Sequence, residues 1–99
     1  METFNEIIRG DKPVLVDFYA AWCRPCRMMI PIIEEVGQEL QGDARVLKID
    51  VDKNQIVADQ YQVQAVPTFI IFKNGQIVWR SAGAIGKASL VSHIRQYVD

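Results

Sequence analysis

Residues 14–26 read Val14-Leu15-Val16-Asp17-Phe18-Tyr19-Ala20-Ala21-Trp22-Cys23-Arg24-Pro25-Cys26, and the architecture follows from this stretch. Val14–Ala20 is a nearly continuous apolar run, the pattern of a central strand buried on both faces. Asp17 alone interrupts it. From about Arg24 to Leu40 the period changes: Cys26, Met29, Ile30, Ile33, Val36 and Leu40 recur at helical spacing, which marks an amphipathic helix. Pro31 lies inside it, lacks an amide and is expected to kink it. Arg45–Val51 alternates Val46, Ile49 and Val51 imperfectly with polar residues and reads as a second strand. Strand, helix and strand in succession form a right-handed unit whose two strands are parallel.

On the N-terminal side, Thr3 caps a short helix, Glu6 completes its capping box, Phe4, Ile7 and Ile8 supply an apolar stripe, and Gly10 ends it. On the C-terminal side a helix is expected around Gln55–Tyr61. After Pro67, strands Thr68–Lys73 and Gln76–Ala82 flank Asn74-Gly75, a strong hairpin signal. Ser89–Tyr97 reads as a closing helix with Leu90, Val91, Ile94, Tyr97 and Val98 on its apolar side. These elements predict an α/β fold: a mixed four-stranded sheet with helices on both faces.

The chain has 99 residues, and 49% hydrophobic composition suits one domain over 1–99 with a single core. Eleven basic and twelve acidic side chains leave a formal charge of −1, with no basic block or stripe. That gives little electrostatic reason to expect binding to nucleic acid or to acidic membranes. Apolar runs such as Thr68–Phe72 are too short to span a bilayer. Met1–Lys12 mixes Glu2, Glu6, Arg9 and Asp11 with isolated hydrophobes, unlike a signal peptide, so the expected location is cytoplasmic.

The only two cysteines, Cys23 and Cys26, are a poor structural staple, because a bridge between them closes almost no loop. A thiol pair in the cytoplasm is also kept mostly reduced, so chemistry is the better reason for its presence. Cys23 lies at the mouth of the long helix, where partial positive charge and unpaired N–H groups favour a thiolate. It is expected to be the more exposed sulfur and the attacking one. Cys26, one turn later on the buried side, is placed to resolve the mixed disulfide, and Pro25 fits the first turn. Half of a zinc site is the alternative. Zinc needs four ligands, however, and only His93 is available as a further soft one, so no metal is expected.

Asp17, amid Val14, Leu15, Val16, Phe18 and Tyr19, is costly to desolvate, and its pKa should rise toward neutrality. An acid of that kind on the strand leading into the cysteine loop can exchange protons with Cys26. Alternatively it is a polar residue satisfied by its neighbours. Lys48 is the one cation expected near it, against a solvated role on its strand. Asp50, Asp52 and Asn54 imitate the start of a calcium loop, but Gln55 and Tyr61 stand where glycine and glutamate are needed. Met28 and Met29 read as packing, Trp79 likewise, and His93 as a surface residue. Trp22, beside a reactive thiol, suggests a docking surface.

The sequence resembles the thioredoxin family. The matching pieces are Val16-Asp17-Phe18, Trp22-Cys23 with Pro25-Cys26, Pro31, Lys48 with Asp50 and Asp52, Val66-Pro67-Thr68, Phe72-Lys73-Asn74-Gly75, and Gly83. The resemblance implies a thioredoxin-like fold and a cis peptide bond before Pro67, which faces the cysteines. It further implies a groove lined by Trp22, Val66, Pro67 and Gly83 for an extended segment of a disulfide-containing client, with Arg24, Pro25 and Thr68 adjoining. Such capture is strand-like, through main-chain bonds. The implied cycle is attack by Cys23, resolution by Cys26 and re-reduction by an NADPH-dependent thioredoxin reductase, with no bound cofactor in the chain itself.

Three departures accompany the likeness. Arg24 stands where the family usually has glycine, and Tyr19 replaces a common tryptophan. The sequence also opens at the first helix, without the family's first strand. On the family's strand order this leaves Arg45–Val51 as an edge, blunted by Lys48 and Asp50, and a monomer or weak dimer is expected. Competing readings are a dedicated oxidase, isomerase or maturation factor, and a binding subunit whose thiols are incidental.

Overall fold

A computed structural model describes residues 1–99. In chain order the elements are α1 (Phe4–Ile8), β1 (Val14–Tyr19), α2 (Arg24–Glu39), β2 (Arg45–Asp50), α3 (Gln55–Gln60), β3 (Thr68–Lys73), β4 (Gln76–Ala82) and α4 (Lys87–Arg95). The strands form one sheet in the order β2-β1-β3-β4. β1 and β2 run parallel, as the strand–helix–strand unit requires, with Asp17 opposite Lys48. β3 is antiparallel to β1 and to β4. β2 is therefore an outer strand.

Local chemistry accounts for most of the boundaries. The Thr3 hydroxyl accepts the Glu6 amide at 3.2 Å while the Glu6 carboxylate accepts the Thr3 amide, also at 3.2 Å, closing the expected capping box. Asn74 and Gly75 both take positive φ, 53° and 80°, the conformation that a two-residue hairpin turn needs to match strand twist. The Gly75 amide also donates to Ile8 O at 2.8 Å, which ties the hairpin to the end of α1. α2 continues across Pro31 from Arg24 to Glu39.

The last helix departs from the sequence expectation. It begins at Lys87 and ends at Arg95 rather than running over Ser89–Tyr97. Gly86 is its N-cap in extended conformation, and its carbonyl accepts the Leu90 amide at 3.1 Å. At the other end, Tyr97 is drawn to the sheet, its hydroxyl donating to Val78 O at 2.9 Å.

Alternation along β1 distributes the core to both faces of the sheet. Leu15 joins Phe69, Ile71, Met29, Ile33, Val36, Leu40, Leu90, Val91 and Ile94, where α2 and α4 cover one face. Val14, Val16 and Phe18 join Ile8, Ile70 and Phe72, with Phe4 of α1, Val57 of α3 and Tyr61 just after α3 packed against them. Large side chains buried in this way contribute about 1.5–3 kcal/mol each. A third, small cluster stands apart: Ala20, Cys23 and Cys26, with Tyr19, Val51 and Val66 against it. Trp79, expected as packing, stacks on His93 with ring centroids 4.5 Å apart, so the histidine is half-buried rather than simply solvated.

Candidate active site

Cys23 and Cys26 are joined by a disulfide, with Cα atoms 5.3 Å apart. Cys23 is the N-cap of α2: its backbone is extended (φ −86°, ψ 114°) and its Sγ accepts the Cys26 amide at 3.2 Å. Sulfur occupies the place that serine or aspartate commonly takes at a helix start. Pro25 lies in the first turn, where no amide is required. The expectation that Cys23 is the more exposed sulfur does not hold in the disulfide form. Cys23 is 4% exposed and Cys26 3%, because the segment carrying Val66 folds over the pair. What distinguishes them is the helix: Cys23 faces the unpaired amides and Cys26 is inside the first turn.

The Val66–Pro67 bond is cis, and the Val66 carbonyl oxygen lies 3.7 Å from Cys23 Sγ. The Gly83 amide donates to Pro67 O at 2.8 Å, and Gly83 has φ +94°, a conformation that favours glycine. Thr68 is buried and its hydroxyl donates to Ala65 O at 2.6 Å, so its side chain shapes the turn and offers little surface. Trp22, by contrast, is 68% exposed. Its indole Nε1 donates to Asp52 Oδ2 at 2.9 Å. Asp52 is oriented in turn by Asp50, whose Oδ1 accepts the Asp52 and Lys53 amides at 2.9 and 3.3 Å. The residues that imitate a calcium loop thus form a turn that fixes the tryptophan.

Asp17 shares the α2-facing side of β1 with Leu15, which places it beneath the first turn of α2. It is 1% exposed, and its Oδ1 has no hydrogen-bond partner. Burial raises its pKa from 3.8 to about 6, and the Lys48 ammonium pulls in the opposite direction. Lys48 is exposed, with Nζ 5.1 Å from the centroid of the Tyr19 ring. Asp17, Cys26 and Lys48 line one cavity of about 310 Å³ with Tyr19, Ala20, Ala21, Arg27 and Ile30. Asp17 and Cys26 thus border the same cavity.

Two contributors had little signal in the sequence. Arg27 lines the cavity and donates to Ala21 O at 3.0 Å, marked only by standing next to Cys26. Asp52 partners a tryptophan thirty residues away, a contact that neither the discounted calcium pattern nor the family match containing Asp52 signals.

A dithiol centre at a helix N-terminus, with a buried acid behind it and a cis-proline loop before it, defines a thiol–disulfide oxidoreductase. The thioredoxin family model matches residues 1–96. The chain is 49% identical over 96 residues to a thioredoxin-like protein of Synechocystis sp., covering 96% of this chain and 91% of that one. It is 44% identical over 95 residues to a bifunctional thioredoxin reductase/thioredoxin of Mycobacterium leprae, covering 96% of this chain and 21% of that one. A solved mutant thioredoxin from Halobacterium salinarum superposes with a TM-score of 0.88 at 39% identity, over 96% of this chain and 82% of that one. The chain belongs to the thioredoxin family, whose members exchange dithiols with protein disulfides.

Proposed function

We propose that this protein reduces disulfides of client proteins, with Cys23 as nucleophile, Cys26 as resolving thiol and Asp17 as the proton carrier between Cys26 and water. The observation that carries the assignment is the Cys26 N–H to Cys23 Sγ contact at the start of α2, which favours a thiolate at Cys23. The Cys23 thiolate attacks one client sulfur, the client S–S bond breaks, and the departing client thiolate takes a proton from solvent. Ionised Asp17 then removes the Cys26 proton, and the Cys26 sulfur attacks Cys23. The second client thiolate leaves, the client has gained two electrons, and the Cys23–Cys26 disulfide has formed.

Trp22, Arg24, Pro25, Val66 and Gly83 form the proposed client surface, with Pro67, buried in the disulfide form, beneath it and Lys48 tuning Asp17. Thr68 contributes by shaping the turn under Pro67. An NADPH-dependent thioredoxin reductase is the proposed electron donor, supported by the union of the two names in the Mycobacterium leprae relative. Net reduction requires a reducing compartment, and the cytoplasm fits. Insulin reduction by dithiothreitol tests the whole reading: catalysis above the uncatalysed rate is expected, with loss in Cys23→Ser. No acceleration by the intact protein would overturn it.

Arg24 should tune the direction of electron flow. It is exposed beside Cys23, and its positive charge favours the thiolate, hence the reduced form, while leaving the disulfide little affected. An exposed charge of this kind is worth about 0.3–1 kcal/mol after screening. With about 30 mV per 1.4 kcal/mol for two electrons, Arg24→Gln should lower the reduction potential by about 6–20 mV and raise the Cys23 pKa. Equilibration in glutathione buffers measures it. An unchanged potential would make Arg24 a client contact instead.

A further inference from the structure

We infer that Arg80 is a positioning residue for client binding, because its guanidinium anchors the loop that presents Val66 and Pro67 to Cys23. The inference rests on the client surface proposed above and names a determinant of its shape. Arg80 lies on β4, in register with Ile70 of β3. Its Nη1 donates to Tyr61 O at 2.5 Å and its Nη2 to Gln62 O at 2.7 Å. Tyr61 is the C-cap of α3, where carbonyls run out of helical partners. Gln62 has φ +56°, a left-handed conformation disfavoured for a residue with a Cβ and retained where surrounding contacts determine it. The arginine fork supplies two of those contacts in one rigid plane. It makes no ion pair with a carboxylate.

From Gln62 the chain runs without helix or strand to Thr68, and Val66 in this segment reaches Cys23. The far end of the loop is tied to the residue just after the same strand, through the Gly83 amide and Pro67 O. β4 therefore holds the loop at both its entry and its exit. The exit bond is main chain to main chain and insensitive to substitution. The entry is held to α3 by main-chain bonds, Gln62 N–H to Asp59 O at 3.0 Å and Val63 N–H to Ala58 O at 2.9 Å, while its bonds to β4 belong to one exposed side chain. Releasing the tie to β4 lets the segment beyond Val63, with Val66 and Pro67, shift relative to Cys23. Main-chain capture of an extended client suffers, while the thiols, held by α2, keep their chemistry.

Steady-state reduction of insulin and of the small aromatic disulfide dithiobis-nitrobenzoate, by the intact protein, Arg80→Met and Arg80→Lys, tests this. Arg80→Met should raise the KM for insulin about 3–10-fold, the range expected for losing charge-assisted hydrogen bonds that act indirectly. Its kcat and its rate with the small disulfide should stay within about twofold, and its Cys23 pKa should not move. Arg80→Lys, able to reach one carbonyl, should fall between. An insulin KM unmoved in Arg80→Met would overturn the inference, whatever happens to the melting temperature, and reduce Arg80 to a helix cap. If Arg80→Met does not fold, hydrogen exchange at Val63–Val66 in Arg80→Lys decides: faster exchange supports the anchor and unchanged protection overturns it. Reduction of the small disulfide but not of insulin by the intact protein would sink the client surface itself, and the role of Arg80 with it.

Discussion

Cys26→Ser is expected to turn the catalyst into a trap. Cys23 still attacks, but no neighbouring thiol remains to release the client, so mixed disulfides should accumulate and appear as reducible high-mass bands on non-reducing gels. Well-oriented intramolecular groups reach effective molarities on the order of 10⁵ M or more, whereas an external thiol acts at millimolar concentration. Turnover should therefore fall by at least about a thousandfold. Cys23→Ser should be equally inactive yet trap nothing. A limiting dose of iodoacetamide at pH 7 should alkylate Cys23 first in the reduced protein. Exposure does not separate the two sulfurs, which are almost equally covered in the disulfide form. Preference for Cys23 would therefore report the thiolate-stabilising helix end. Trapping by Cys23→Ser, or first labelling of Cys26, would reverse the two roles.

Asp17→Asn should slow resolution of the mixed disulfide and stabilise the fold. In the unfolded chain the carboxyl ionises near pH 4, whereas in the folded protein it holds its proton to about pH 6. Between those values the folded state binds more protons than the unfolded state, so wild-type stability declines as pH rises through this window. About two pH units of difference correspond to at most roughly 3 kcal/mol, fully expressed above pH 6. The variant escapes this loss. It should match wild type near pH 3 and exceed it by roughly 1–3 kcal/mol at pH 7.5, or about 5–15 °C in melting temperature for a domain of this size. Thermal melts across pH, paired with single-turnover release of a trapped client, measure both effects. Equal melting at pH 7.5 would mean that Asp17 is satisfied within the fold, and unchanged release would remove it from the proton route.

The elements whose reading rests on local pattern agree closely with the structure. β1 is marked by its apolar run, the hairpin by Asn74-Gly75, and α1 by the reciprocal bonds of Thr3 and Glu6. The bounds of α4 carry a weaker signal, because Gly86 caps it without a side-chain bond and Tyr97 continues the apolar pattern while bonding to Val78. Within the site, the cysteines and Asp17 stand out because each breaks a local rule: a staple that closes no loop, and a carboxylate in a buried strand. Asp52 and Arg80 break none. Their partners, Trp22 and the end of α3, are distant in sequence and become visible only when the chain is folded. Thr68 shows the converse: a residue in a matching motif whose side chain turns inward.

The small cluster of Ala20, Cys23 and Cys26 sits outside the ten-residue core between α2, α4 and the sheet. Arg24 and Pro25, between the cysteines, are exposed and touch neither large core. Substitution there leaves the load of folding on side chains that never meet the disulfide. If Arg24 tunes the potential as proposed, such a layout makes the dipeptide a dial: exchanging surface residues there would shift electron affinity while the scaffold stays unaltered.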